Sequence, residues 1–332
     1  MSRFCAGSFT YPDPFTQEEE FIDCLVAKVT GSGAKVLIPT HDEGIIIARH
    51  RNRFPESLII LVESADKLLT LSNKRLATDL AKRAGVPVPV IYNSTDDVKT
   101  FPIVFKTVVG NSAKGVFFPA SKAELDSLAI AHSNEDTMIE EWIKGEDVCV
   151  DCIRYGTFFY ASVYRALITK TDGGGTTTQR QIIDMPQLVD YARTFLDYVD
   201  YNGVCGLDFR YDSDSGRVAF IEMNARFTGG IATPIAAGFD IPYVLYSLAV
   251  TGRYDAPINL KIGTSTKWIL GDIITLTGRL LSFNFSKNEL RRIIKFSGFD
   301  GFDDFRSDDK KAILGEFYYY LLKLLKNRKL NP

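Results

Sequence analysis

Apolar positions along this chain repeat with two periods, and the changes of period mark out its elements. Residues 21–29 carry a helical apolar pattern, 35–39 form a short apolar run ending at Pro39, 45–49 begin a second helix and 58–62 read as another strand. From Ser72 the signals sharpen. Asn73 can cap a helix over 74–84 that Gly85 ends, and Pro87 and Pro89 prevent its continuation. Residues 101–106 form a strand with Lys106 at its end, followed by a small-residue loop over 109–116 containing Gly110, Lys114 and Gly115. A helix over 121–131, strands on either side of Gly145 within 137–151, and more sheet over 158–168 come next. Residues 171–179, TDGGGTTTQ, read as a flexible loop poised to close over something. An amphipathic helix over 186–199 leads into a hairpin over 203–230, and 231–249 is helical with a break at 238–242.

The hairpin carries the densest chemistry. Asp214-Ser215-Gly216 has the composition of a three-residue loop with glycine at the left-handed position. Register counting from that turn sets Asp208 opposite Glu222. Alternation then puts Asp208, Arg210, Glu222, Asn224 and Arg226 on one face, and Leu207, Phe209, Tyr211, Ile221 and Met223 on the other. Opposed carboxylates, with Cβ atoms roughly 5 Å apart, repel unless a proton or a cation intervenes. Carboxylate and amide oxygens are hard ligands that favour Mg²⁺. The alternative is a solvated face on which Arg210 and Arg226 pair the acids.

Composition narrows the classes. At 332 residues, 45% hydrophobic and 24% charged, the chain is long enough for two or three globular subdomains. A net charge of −2 gives no reason to expect a nucleic-acid partner. No run of about 18 apolar residues suggests a transmembrane segment, and no signal-peptide pattern opens the chain. Five scattered cysteines make no disulfide framework, so a reducing cytoplasmic location is expected. Cys149 and Cys152 have redox-pair spacing, but strand alternation points their sulfurs to opposite faces. His41, His50 and His132 are scattered too.

A capped helix opening with Lys74, a strand ending in Lys106, a Gly/Lys loop, the Glu140-Glu141-Trp142-Ile143 strand and an Asp208…Glu222-Met-Asn224 hairpin occur in this order. Over residues 73–250 this order resembles the ATP-grasp superfamily, of the carboxylate–amine ligase type. No Walker-type phosphate loop is present. The resemblance implies an α/β (α+β) fold in which two subdomains sandwich ATP, preceded by a partial Rossmann-like domain. The expected divisions are 1–71 for that domain, 72–142 for the lid subdomain, 143–251 for the large subdomain with the metal site, and 252–332 for a helical extension. By resemblance, Lys74 and Lys106 contact the ATP phosphates, and Lys114 adds charge from the mobile loop. Glu140, Glu141 and Ile143 read adenine, and Asp147, where the family more often has Glu, bonds the ribose. Asp208, Glu222 and Asn224 hold one or two Mg²⁺ ions, with Mn²⁺ as an alternative. Arg226, with Lys106, stabilises charge on the transferred phosphoryl group.

The implied reaction joins a small-molecule carboxylate to an amine through an acyl phosphate, releasing ADP and phosphate. Kinase-like or carbamoyl-phosphate-type transfer and a non-catalytic nucleotide-binding subunit are the alternatives. Arg165, Arg180 and the 173–179 loop are the places where substrate choice would lie. Two departures stand out. The family's N-terminal domain begins with a strand–glycine–helix unit upstream of a segment resembling Met1-Ser-Arg-Phe-Cys5, so a shortened domain or completion by another chain is expected, and a homodimer with it. Residues 251–332 extend past the resemblance. There, 268–281 is an apolar helix interrupted by Asp272 and Arg279, and 312–330 is rich in leucine and aromatics with a basic end.

Overall fold

Helix α1 (Glu18–Ser32) lays Phe21, Ile22 and Leu25 against Ile46 and Ile47 of α2 (Glu43–Arg49), and this small core seats a two-stranded parallel sheet of β1 (Val36–Leu37) and β2 (Ile59–Ile60). The computed structural model describes residues 2–110, 115–171, 174–281, 287–295 and 297–327. Helix α3 (Ala65–Ser72) then carries the chain onto the main body.

Next come α4 (Lys74–Arg83), β3 (Ile91–Tyr92), β4 (Ile103–Thr107), β5 (Val116–Phe117), α5 (Lys122–Ala131) and β6 (Thr137–Glu141). The strands form a sheet of order β3-β6-β4-β5, packed by Ile103, Phe105 and Ile139 onto Leu125 of α5. Helix α4 starts at Asn73, whose side chain accepts the Leu76 N–H, and ends at Gly85, where φ is +82°. The Lys74 N–H bonds the Val108 carbonyl, tying the first turn of α4 to the end of β4.

The second sheet comprises β7 (Glu146–Tyr155), β8 (Phe158–Thr171) and β9 (Gly174–Ile183), then, after α6 (Pro186–Tyr198), β10 (Gly203–Asp212) and β11 (Arg217–Asn224). Helices α7 (Ala232–Ala236) and α8 (Ile241–Thr251) follow, and the remaining elements are β12 (Ser265–Lys267), α9 (Ile269–Leu281), α10 (Lys287–Ile294), β13 (Gly301–Phe302) and α11 (Ala312–Asn327). Its strand order is β11-β10-β7-β8-β9-β12-β13. Alternation splits the sheet into two faces. Val150, Cys152, Leu207 and Phe209 pack under α3, α4 and α6 with Phe195 and Phe220. The other face turns Cys149, Tyr164, Arg180 and Asp208 toward the small sheet. Cys152 lies 3.4 Å from Cys205 in the core while Cys149 sits on the opposite face, as strand alternation requires.

Three sequence expectations change. The turn of the β10–β11 hairpin spans four residues, 213–216, because Asp212 pairs with Arg217. That offset is undone by a bulge beside Asp208, where the register shifts so that Phe209 faces Phe220 while Asp208 still faces Glu222. The extra residue is Ile221: Phe220 and Met223 both face the core, and Ile221 joins Glu222 on the cavity side instead of packing inward. Of the glycine-rich stretch expected as a loop, residues 174–179 belong to β9, since its β-branched run pairs with β8; residues 172 and 173 lie outside the described residues. The extension is not only helical: β12 and β13 add two strands beside β9.

Candidate functional site

Between the two sheets lies a cavity of about 430 Å³, roofed by β4 and β6 and floored by β7, β8, β10 and β11. Its roof presents one cation at each end. Lys106, 2% exposed at the end of β4, lies 2.6 Å from a Glu140 oxygen on β6, and Glu140 is equally buried. Burial drives the Glu140 carboxyl above its ordinary range, and Lys106 opposes that rise. Lys74, at the first turn of α4, donates to the Gly110 carbonyl (2.6 Å) and pairs with Glu222 across the cavity (3.2 Å).

The floor carries the acids. Asp208 and Glu222 are directly opposed on β10 and β11, and the Asn224 amide donates to Asp208 at 2.9 Å. Burial first and the facing Glu222 second push Asp208 up to about 7. Among the described residues no cluster of three or more His, Cys, Asp or Glu side chains is grouped for a metal; this set is two acids and an amide. An under-compensated acid pair with only oxygen donors fits a hard divalent cation.

The connection between the lobes is fastened by Arg210. It donates to the Ile143 carbonyl (3.2 Å), the Gly145 carbonyl and Asp147 (2.7 Å), rather than orienting Asp208. Gly145 has φ +122°, and a Cβ there would lie 2.0 Å from the Tyr211 carbonyl oxygen. Only glycine passes. Glu141 gives its carboxylate to Arg217 and the Val90 N–H, so what it offers the cavity is backbone. Ile143 and Asp147 line the cavity, and Lys114 lies outside the described residues.

Arg226 pairs neither acid of the hairpin. Its Nε donates to Asp42 at 2.7 Å, and Nη1 donates to the Phe227 carbonyl. Asp42 and its neighbour His41 thus bring the N-terminal unit to the cavity rim, a contact spanning 184 positions that no local pattern signals. Arg180, expected from sequence to take part in substrate choice, is 2% exposed and lines the cavity beside Tyr164, Thr228 and Gly230. Its guanidinium pairs with Asp303. The nearby Asp151 accepts from the Thr228 hydroxyl, and burial lifts it to about 7.

A small antiparallel sheet and a large one, joined by a fastened linker, close on a cleft with lysines above and acids below, a two-lobed α/β class. Residues 133–270 match the family model described as ATP-grasp in the biosynthetic pathway with Ter operon. Biotin carboxylase 1 of Bacillus subtilis (strain 168) is 24% identical over 254 residues, covering 67% of this chain and 54% of the relative. The chain therefore spans about half the length of that relative. A biotin carboxylase complex with β-γ-ATP from Campylobacter jejuni superposes with TM-score 0.63 at 15% identity, covering 76% of this chain and 63% of the other. An ADP complex of purK, N5-carboxyaminoimidazole ribonucleotide synthetase, gives TM-score 0.61 at 17% identity, covering 79% and 71%. The chain shares the fold of these solved structures, and its residues 133–270 are similar to an ATP-grasp family.

Proposed function

We propose that the chain is an ATP- and Mg²⁺-dependent ligase that joins a carboxylate to an amine. The observation that carries this reading is the convergence of Lys74, Lys106, Asp208, Glu222, Asn224 and Arg226 on one cleft between the two sheets. The three oxygen donors on β10 and β11 would hold Mg²⁺, which neutralises phosphate charge when bound. Lys74 and Lys106 lie on the roof where phosphates would enter, and the backbone from Glu140 to Ile143 offers hydrogen bonds to a base edge. Asp147, already oriented by Arg210, is placed for ribose hydroxyls.

Positioning and charge neutralisation supply the catalysis. Arg226, steadied by Asp42, offers guanidinium donors to the carboxylate and the transferred phosphoryl group, and Arg180 with Tyr164 completes the substrate side of the cleft. The phosphorylated carboxylate is then attacked by the amine, giving an amide, with ADP and phosphate released. No protein nucleophile is required. We propose the division of the chain at 71, 142 and 251, with the extension after 251 adding β12 and β13 to the large sheet. We assign the protein to the cytoplasm as a homodimer. Among the described residues no helix is long and apolar enough to cross a membrane.

The test is phosphate release from ATP and Mg²⁺ across panels of carboxylates paired with amines. A carboxylate–amine pair that releases phosphate and forms an amide in equal amounts is expected. Nucleotide binding with no release from any pair would overturn the ligase reading. Release with a carboxylate alone, leaving an acyl phosphate trapped by hydroxylamine, would favour phosphoryl transfer without ligation.

A further inference from the structure

The C-terminal extension reaches a residue of the cleft wall, Arg180. Asp303, immediately after β13, accepts from Arg180 Nη1 at 2.5 Å, and the Thr177 carbonyl takes Nη2. A guanidinium buried to 2% exposure needs such a counter-charge: burial alone would lower its pKa, and the Asp303 carboxylate more than restores it. Arg180 Nε and Asp303 Oδ1 are buried without a hydrogen-bond partner among the described residues. Gly230 passes so close that a Cβ there would meet the Tyr164 hydroxyl at 2.6 Å and Arg180 Nε at 3.0 Å. Arg180 is therefore closely packed into the cleft wall against Gly230 and Tyr164.

Asp303 does not sit there by chance of a side chain. The strand pairing of β13 with β12 fixes its backbone, and its N–H bonds the Lys267 carbonyl at 3.0 Å. On the other face of β9, Gln179 donates to Asp272 of α9 at 2.7 Å, and Lys267 pairs with the same carboxylate at 3.0 Å. The extension thus grips β9 from both faces, with Asp303 lying beyond the 133–270 stretch matched by the family model. We propose that Asp303 is a positioning residue: it sets the Arg180 guanidinium to receive an anionic group of the substrate, which makes the C-terminal extension a specificity element of the site. This rests on the ligase reading for the existence of a carboxylate substrate.

The full chain, loaded with a non-hydrolysable ATP analogue and Mg²⁺, is titrated calorimetrically with bicarbonate and with acetate as probes. Wild type is expected to bind at least one probe in the millimolar range. Asp303→Asn should weaken that binding at least about tenfold, Asp303→Glu should recover part of it, and nucleotide affinity should stay within about twofold in both. Asp303→Glu keeps the buried charge balanced, so it carries the test if the asparagine variant does not fold. Either folded variant binding the probe as tightly as wild type overturns the proposal, as does a wild type that binds neither probe. Because the titration requires no turnover, a protein that binds the probe through Arg180 but never releases phosphate would sink the ligase reading and leave the subsite standing.

Discussion

Replacing Lys106 by Met tests whether the roof of the cleft is a buried ion pair serving a ligand or merely a well-packed pair. Lys106 and Glu140 are each 2% exposed, 2.6 Å apart, and the second Glu140 oxygen has no hydrogen-bond partner among the described residues. Removing the ammonium leaves a buried carboxylate uncompensated, a loss of about 3–5 kcal/mol. The carboxyl can escape by taking up a proton. Its folded pKa is already raised by burial, and Lys106 is the main opposing influence, so the variant pushes it higher. A raised acid contributes its full stability below the unfolded value of 4.5 and loses it as pH climbs toward the folded value. The deficit of K106M should therefore be small near pH 5 and grow by up to about 1.4 kcal/mol per pH unit toward pH 8. K106M/E140L, which removes both charges, should return to within about 1–2 kcal/mol of wild type. Urea unfolding followed by far-ultraviolet circular dichroism at both pH values measures this, and binding of an ATP analogue measures the other half. The double variant should be stable yet fail to bind nucleotide. A deficit independent of pH, or a double variant no more stable than the single one, would refute the reasoning.

Two further predictions address the floor. Glu222→Gln removes one of the opposed acids and the partner of Lys74 without changing shape, so the circular dichroism spectrum should be retained while ATP turnover falls at least about 100-fold; turnover at the wild-type rate removes the metal assignment. Asp151 has a pKa of about 7 in the fold against 3.8 for the model carboxyl, so its stabilising contribution is present below about pH 4 and drains away as pH rises to 7, by up to about 4 kcal/mol. Asp151→Asn keeps an acceptor for Thr228 and does not titrate, so its stability relative to wild type should improve between pH 5 and pH 8; equal differences at both pH values in urea unfolding would count against it.

The opposed acids of the hairpin were legible because alternation and a glycine turn are local signals. The register came out as Asp208 against Glu222 although the turn is one residue longer than its composition suggests, since the bulge at Ile221 returns the ladder to step. The cost of that hidden compensation was the face assigned to Ile221. Lys106 was legible as a charge needing a partner at the end of an apolar strand; that the partner is Glu140 follows only from the pairing of β4 with β6. Asp42 reaching Arg226 and Asp303 reaching Arg180 were invisible, because each contact joins segments more than a hundred positions apart and depends on how units pack. Part of the glycine-rich stretch misled because residues 174–179 carry loop-like glycines ahead of a β-branched run, and only the pairing of that run with β8 makes it strand.

Lys74 and Asn224 partner the acids of the floor, one ammonium on Glu222 and one amide on Asp208. Occupation of this floor is accordingly an exchange rather than an addition. Under the proposed function, a cation held by Glu222 would compete with Lys74 for that carboxylate, and the ammonium, anchored at the start of α4, would be left facing the cleft. Metal affinity would then be the difference between two ionic contacts instead of the strength of one, and a lysine would become available to an incoming anion as the metal binds.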